Sequence, residues 1–159
     1  MSDIRRTLLF LHKGEDILLA MKKRGFGANR WNGVGGKLEK NETIEQALIR
    51  ETQEEIGVTP TEYEKVAELD FYGVDPETKE KWEMFVYAYM CTKWDGEPTE
   101  SEEMAPKWFK KDSIPYAEMW QDDEHWLPEV LNGEKVIATF YFDELDNLVN
   151  HTLKKVKSL

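Results

Sequence analysis

The segment from Gly36 to Val58 constrains this chain more than any other part of it. It opens Gly36-Lys-Leu-Glu-Lys-Asn-Glu42 and, after seven residues of amphipathic pattern, closes Arg50-Glu-Thr-Gln-Glu-Glu-Ile-Gly-Val58. Counting about 100° per residue from Ile44, Leu48 falls near 40°, Glu51 near 340° and Glu55 near 20°. Two carboxylates therefore share the azimuth of the apolar stripe, whereas a solvated acidic face would point the other way. Glu51, Glu54 and Glu55 stand at i, i+3 and i+4. Like charges at that spacing cost an isolated helix about 0.2–0.5 kcal/mol per pair, and more as water is withdrawn. Something positive should compensate, and clustered carboxylate oxygens are the hard ligands that Mg²⁺ or Mn²⁺ prefers.

The rest of the chain supplies a mixed α/β (α+β) pattern. Arg5–His12 and Ile17–Met21 read as strands around a Lys13-Gly-Glu-Asp16 turn. The acidic helix is expected over 43–56, with Asn41 or Thr43 as its cap, Glu42 and Glu45 near its positive end, and Gly57 followed by Pro60 as its stop. Further strands are expected over Lys65–Tyr72, Glu83–Thr92 and around Lys107–Phe109, with a terminal hairpin of Val136–Asp143 and Leu148–Val156. A second helix is expected near Asp122–Leu131, where Pro128 should kink it, end it or divide it in two.

At 159 residues, with no linker or composition shift, one domain over 1–159 is expected. No run approaches the ~18 apolar residues of a membrane span, and no targeting segment follows the N-terminus, so a soluble, cytoplasmic protein is expected. The formal charge of −11 opposes binding to nucleic acid or anionic membrane. A small anionic substrate escapes that objection if metal ions and a few local cations receive it. The single cysteine, Cys91, permits no internal disulfide and reads as a buried strand residue. His12, His125 and His151 lack a spacing suited to zinc or a catalytic triad and read as surface residues.

The spacing Gly36-X5-Glu42-X7-Arg50-Glu51-Thr52-Gln53-Glu54-Glu55-Ile56-Gly57-Val58 resembles the Nudix box, GX5EX7REUXEEXGU with U aliphatic, and departs from it only at Thr52. Met21–Gly33, Pro98–Met104 and Ile114–Trp126 are similar to the MutT-like enzymes of that family that act on oxidised purine nucleoside triphosphates. The likeness covers nearly the whole chain and is weakest over Gly73–Trp82, which reads as a longer, more charged connection. It implies a helix–sheet–helix sandwich on a mixed sheet and a divalent metal, Mg²⁺ with Mn²⁺ as substitute. Glu51, Glu54 and Glu55 would hold the metal, with a carbonyl of Gly35 or Gly36. Glu103 would be a further carboxylate for metal or water, although Glu100, Glu102 and Glu103 equally suit a solvated acidic turn. Arg50 would brace a catalytic glutamate, and Glu42 would orient the loop or pair with Arg50.

Hydrolysis of a phosphoanhydride needs in-line attack on a phosphorus crowded by negative oxygens. Among Lys22, Lys23 and Arg24, the resemblance favours Lys22 as the phosphate contact, against the alternative of a solvated strand end. A nucleobase needs flat apolar faces and an edge partner. Trp120-Gln-Asp-Asp123 offers an indole beside two carboxylates. If one aspartate stays protonated, the pair becomes donor plus acceptor and suits more than one purine edge. The resemblance implies that Asn32 and Thr7 add polar groups and that Phe26, Phe71, Met104 and Trp126 add walls, with Phe85 as a further wall candidate. Asp122 could instead cap the helix after it, and Trp120 could be core. Gln121 stands where the relatives carry proline.

The expected function is a Mg²⁺-dependent hydrolase that converts oxidised purine triphosphates (8-oxo-dGTP, 2-hydroxy-dATP) to monophosphate and pyrophosphate as a monomer. Attack at the β-phosphorus is implied by the resemblance. It would sanitise the nucleotide pool and prevent DNA damage. The alternatives are a Nudix hydrolase of other nucleotides, such as ordinary or methylated purine triphosphates or ADP-ribose, and a nucleotide-binding module without turnover.

Overall fold

A computed structural model describes residues 4–159. The chain opens with β1 (Ile4–Lys13) and β2 (Asp16–Lys22), joined through Gly14 at φ 60°, a left-handed conformation that a residue without Cβ adopts freely. β2 pairs with β1 only at His12↔Ile17 and Lys13↔Asp16 before diverging from it. β2 pairs antiparallel with β6 (Met104–Lys110) along its whole length and, beyond that point, with β3 (Trp31–Asn32). The edge that β1 loses is taken up by the loop after β3. Leu9 and Val34 exchange hydrogen bonds of 2.6 and 2.9 Å, and the Thr7 N–H donates to the Gly36 carbonyl at 2.9 Å.

The other edge of β1 pairs in parallel with β5 (Lys81–Asp95), which pairs antiparallel with the bulged β4 (Thr59–Val74). β4 pairs in parallel with β7 (Lys135–Phe142), and β7 antiparallel with β8 (Leu148–Val156). The result is a mixed sheet in the order β3-β2-β1-β5-β4-β7-β8, with β6 beside β2. Between them, β4 and β5 run well past the strands expected at Lys65–Tyr72 and Glu83–Thr92. The charged Gly73–Trp82 stretch is thus largely hairpin, in which Trp82 packs so closely over Gly73 that a Cβ there would lie 2.0 Å from the indole.

Helix α1 (Ile44–Ile56) begins at Thr43, whose hydroxyl accepts the Gln46 N–H while the Gln46 side chain accepts the Thr43 N–H. It ends at Gly57 with φ 70°. Its buried face, Leu48 and Ile56, packs with Leu9, Leu11, Tyr89 and Cys91. Burial pushes the Cys91 thiol up to about 11, as expected of a structural cysteine. Thr52 is fully buried where an aliphatic was expected, and its hydroxyl donates to the Leu48 carbonyl at 2.7 Å. Helix α2 (Asp123–Leu131) covers the opposite face, burying Trp126, Leu127 and Val130 against Phe10, Leu69 and Phe140. This is a helix–sheet–helix sandwich. Pro128 neither ends α2 nor divides it: the helix runs three residues further to Leu131, because the proline removes one backbone donor while the flanking side chains stay buried. His125 of α2 and His151 of β8, read separately as surface residues, lie with ring centroids 4.1 Å apart. Among the described residues, no helix is long and apolar enough to cross a membrane.

Candidate active site

Because β2 diverges from β1, a glycine-rich loop can run along the open edge between them. A Cβ on Gly35 would lie 1.9 Å from the Thr7 carbonyl oxygen, and one on Gly36 would lie 2.5 Å from the Glu51 carboxyl carbon. Glycine at both positions lets the backbone pass between the strand and the helix carboxylates. The Gly36 carbonyl already accepts one hydrogen bond and keeps a lone pair for another partner.

Arg50 organises the carboxylates. Its Nε and NH2 donate to the two oxygens of Glu42 at 2.7 and 2.9 Å, and its NH1 donates to Glu51 Oε1 at 2.8 Å and Glu54 Oε2 at 3.3 Å. A further bond from NH2 to the Lys37 carbonyl, 3.2 Å, ties the same guanidinium to the loop. The Arg50 guanidinium, then the Glu39 N–H, hold the Glu42 carboxyl down at about 2. Glu55 is in the opposite situation. Burial first, and then the neighbouring Glu51, push its carboxyl up to about 8, against the pull of the Gly35 N–H and the Lys22 ammonium. Its Oε2 is buried without a hydrogen-bond partner among the described residues.

Glu51, Glu54 and Glu55 line one cavity together with Glu102, Glu103 and Arg24. Arg24 lies 3.7 Å from both Glu102 and Glu103, and Lys23 pairs with Glu100. Of the three adjacent cations, Lys22 is left without an ion pair among the described residues and lines the neighbouring cavity. Among the described residues, no three His, Cys, Asp or Glu side chains are already grouped as a metal ion would need them. Five glutamates nevertheless share the cavity.

A second cavity lies beside the first: Lys22 and Gly35, which line it, also act on Glu55 of the first, and Asp123 and Trp126 of α2 form its floor. Asp122 does not cap α2: its backbone is helical, and its side chain makes no capping bond. Instead Asp122 Oδ2 accepts the Trp126 indole N–H at 2.9 Å. Asp122 and Asp123 are both buried. Burial pushes both carboxyls up, but the indole bond favours charge on Asp122, and the Asp122 charge raises Asp123 further. Of the two, Asp123 is the more readily protonated, and its Oδ2 has no partner among the described residues. Thr7 Oγ1, lining the same cavity, is likewise buried and unpartnered. Buried polar atoms without partners are rare in folded proteins, and here two belong to one cavity. Asn32 Oδ1 accepts the Gly33 N–H at 2.8 Å, which leaves its amide donors free to turn to a ligand.

Trp120 is a cavity wall rather than core. It lies 5.2 Å from Phe26, which is 60% exposed at the mouth, and edge-on to Phe142 at 6.2 Å. Phe71, Met104 and Trp126 complete the walls that the sequence suggested. Phe85 does not join them. It is paired with Asp70 between Met84 and Val86, which line the cavity, and alternation along β5 turns its side chain to the other face.

Several lining residues escaped the sequence reading. The Arg30 guanidinium lies over the Trp120 ring at 4.0 Å, and Gly27 is needed because a Cβ there would come within 3.3 Å of the indole. Both fall inside Met21–Gly33, where Gly27 reads as a glycine that lets the backbone approach a ligand and Arg30 carries no assigned role. Arg6, Trp82 and Asp146 also line the cavity. Trp82 and Asp146 lie far from any motif, so periodicity offered no signal for them.

Residues 4–130 match the NUDIX domain. Over 153 residues the chain is 42% identical to the oxidized purine nucleoside triphosphate hydrolase of Mus musculus, covering 96% of this chain and 95% of that protein. The protein of the same description from Danio rerio is 41% identical over 153 residues, covering 96% of each. Among solved structures, a MutT protein from Bacillus halodurans superimposes with a TM-score of 0.83 at 25% identity, covering 95% of this chain and 97% of that one.

Proposed function

The chain belongs to the NUDIX domain family, and on that footing we propose that it hydrolyses oxidised purine nucleoside triphosphates, such as 8-oxo-dGTP and 2-hydroxy-dATP, to monophosphate and pyrophosphate. The buried Asp122–Asp123 pair carries the proposal. With one proton between them, Asp122 accepts and Asp123 donates along the edge of a purine. Exchanging the proton serves a base with the reversed pattern. Trp120 and Phe26 supply flat faces at the mouth, Asn32 and Thr7 supply further polar groups, and Phe71, Met104 and Trp126 exclude water.

From a base held there, the phosphates extend past Lys22 toward the carboxylate cavity. The donor set there suits a hard divalent cation, because carboxylates crowd one cavity and Glu55 presents a buried, unpartnered oxygen. Glu51, Glu54, Glu55 and Glu103, with a carbonyl of Gly35 or Gly36, would hold Mg²⁺ or Mn²⁺, which when bound screens phosphate charge and acidifies water. In the proposed reaction a water oxygen bonds to the β-phosphorus, a glutamate takes its proton, and the bridging oxygen leaves with the monophosphate. Arg50 keeps Glu51 and Glu54 aligned through its fixed fork of donors. Lys22 neutralises a phosphate oxygen.

The reading extends to a monomer that acts on free nucleotides in the cytoplasm and clears damaged precursors from the pool. The net charge of −11 accords with a small-molecule substrate rather than a nucleic-acid polymer. The test is a steady-state comparison of 8-oxo-dGTP, 2-hydroxy-dATP, dGTP, dATP and ADP-ribose with Mg²⁺, with products identified. Preference for the oxidised purines with pyrophosphate release is expected. Equal turnover of oxidised and ordinary purines would remove the sanitising role and leave a general nucleotide hydrolase.

A further inference from the structure

The side chain of Gln121 joins two parts of the molecule that meet at the cavity lined by Trp120, Asp122 and Asp123. Its Nε2 donates to Asn147 Oδ1 at 3.1 Å, and its Oε1 accepts the Leu148 N–H at 2.8 Å. Both ends of one amide are thus committed to the turn between β7 and β8. That turn is already internally braced. Asp143 Oδ1 accepts the N–H groups of Leu145 and Asn147 at 2.9 Å each, and the Asp143 N–H donates to the Asn147 carbonyl at 2.9 Å. The bracing holds Asp146 in the left-handed region at φ 61°, and Asp146 lines the cavity. On the other side of the clamp, Gln121 lies between Trp120 and Asp122, which line the same cavity. Trp120 also meets Phe142, the last residue of β7, edge-on.

We propose that Gln121 is a positioning residue that locks the 143–147 turn against the 120–122 loop and so fixes the outer wall of the cavity, and that Asp146 on that wall is a specificity-determining residue. This rests on the nucleotide reading of the same cavity. A carboxylate at this wall accepts hydrogen bonds from the N–H or hydroxyl groups of a nucleoside and repels phosphate. It therefore favours the pose in which the phosphates run toward Lys22. A turn held only by its own hydrogen bonds would present that charge at variable distance from Trp120. The clamp removes this freedom without touching the reacting atoms.

The test uses the full chain as Gln121→Ala, Asn147→Ala, the double variant and Asp146→Asn. It reads KM and kcat for 8-oxo-dGTP and dGTP, affinity for the corresponding monophosphates, and amide exchange at Leu148. Gln121→Ala should raise KM by about fivefold to tenfold with kcat within about twofold. Adding Asn147→Ala should change little more, because the two residues form one contact. Leu148 exchange should accelerate while the thermal midpoint stays close to that of the native protein. Asp146→Asn should alter the ratio of the two KM values. Unchanged KM in both Gln121→Ala and Asp146→Asn, or an equal fall in kcat for both nucleotides, overturns the proposal. If the native protein turns over no purine triphosphate, the functional reading fails by itself. The monophosphate affinities then decide the proposal, and it falls if the variants bind as the native protein does or if no nucleotide binds.

Discussion

At the scale of single residues, Arg50 and the Asp122–Asp123 pair show how a side chain's partners set its chemistry. Glu54 is the box glutamate least constrained by the fold, with a 3.3 Å contact to Arg50 and a half-exposed side chain. Glu54→Gln should therefore leave the fold and nucleotide binding intact, while removing a metal-binding charge at nearly constant volume. We expect kcat to fall by about 100-fold or more, with circular dichroism and monophosphate affinity unchanged; normal turnover would sink the metal assignment. Asp122→Asn keeps the acceptor for the Trp126 indole but fixes which atom donates and which accepts. It should shift the kcat/KM ratio between oxidised guanine and oxidised adenine substrates by about tenfold. An equal loss for every triphosphate would assign Asp122 to structure alone.

At the scale of elements, the box helix was legible because its cap, stripe and stop are local signals. The capping box at Thr43 and the left-handed Gly57 delimit it within a residue of the expected 43–56. Thr43→Ala should cost about 1 kcal/mol, read as a lower urea midpoint at unchanged slope; no change in midpoint would show that tertiary packing alone holds the helix start. The strands around Gly73–Trp82 were less legible, since their charged residues resemble a loop until β4 and β5 pair across them. Pro128 is a related case: of the outcomes its ring allows, neither an end nor a division of the helix occurs. Its local effect is the loss of one donor, and the burial of Trp126, Leu127 and Val130 outweighs that loss.

At the scale of the whole molecule, buried carboxylates give stability a definite pH dependence. Glu42 titrates lower in the folded protein than its ordinary value of 4.5, so its contribution is lost as pH falls from about 4.5 through about 2. Glu55 titrates higher, so the folded state holds a proton that the unfolded chain has released. Its effect has the opposite sign, and stability falls as pH rises from about 4.5 through about 8. The raised Asp122–Asp123 pair adds to this second limb. In chelator, the thermal midpoint should therefore peak on the acid side of neutrality. Glu55→Gln should flatten the fall toward pH 8, and a midpoint that rises steadily through pH 8 would contradict these assignments.

The sequence by itself determined the family chemistry and the two helices, because box spacing, caps and apolar stripes are short-range patterns that a chain carries wherever it folds. It also named Trp120, Asp122 and Asp123, since they lie together in one stretch. Only the tertiary structure decided that β2 leaves β1 and admits a glycine loop, that Asp122 binds an indole instead of capping a helix, and that Phe85 faces away. The same holds for Arg30 on Trp120 and for Gln121 reaching Asn147. Each depends on a neighbour many residues distant or on the parity of a strand's register, and neither is written in local pattern.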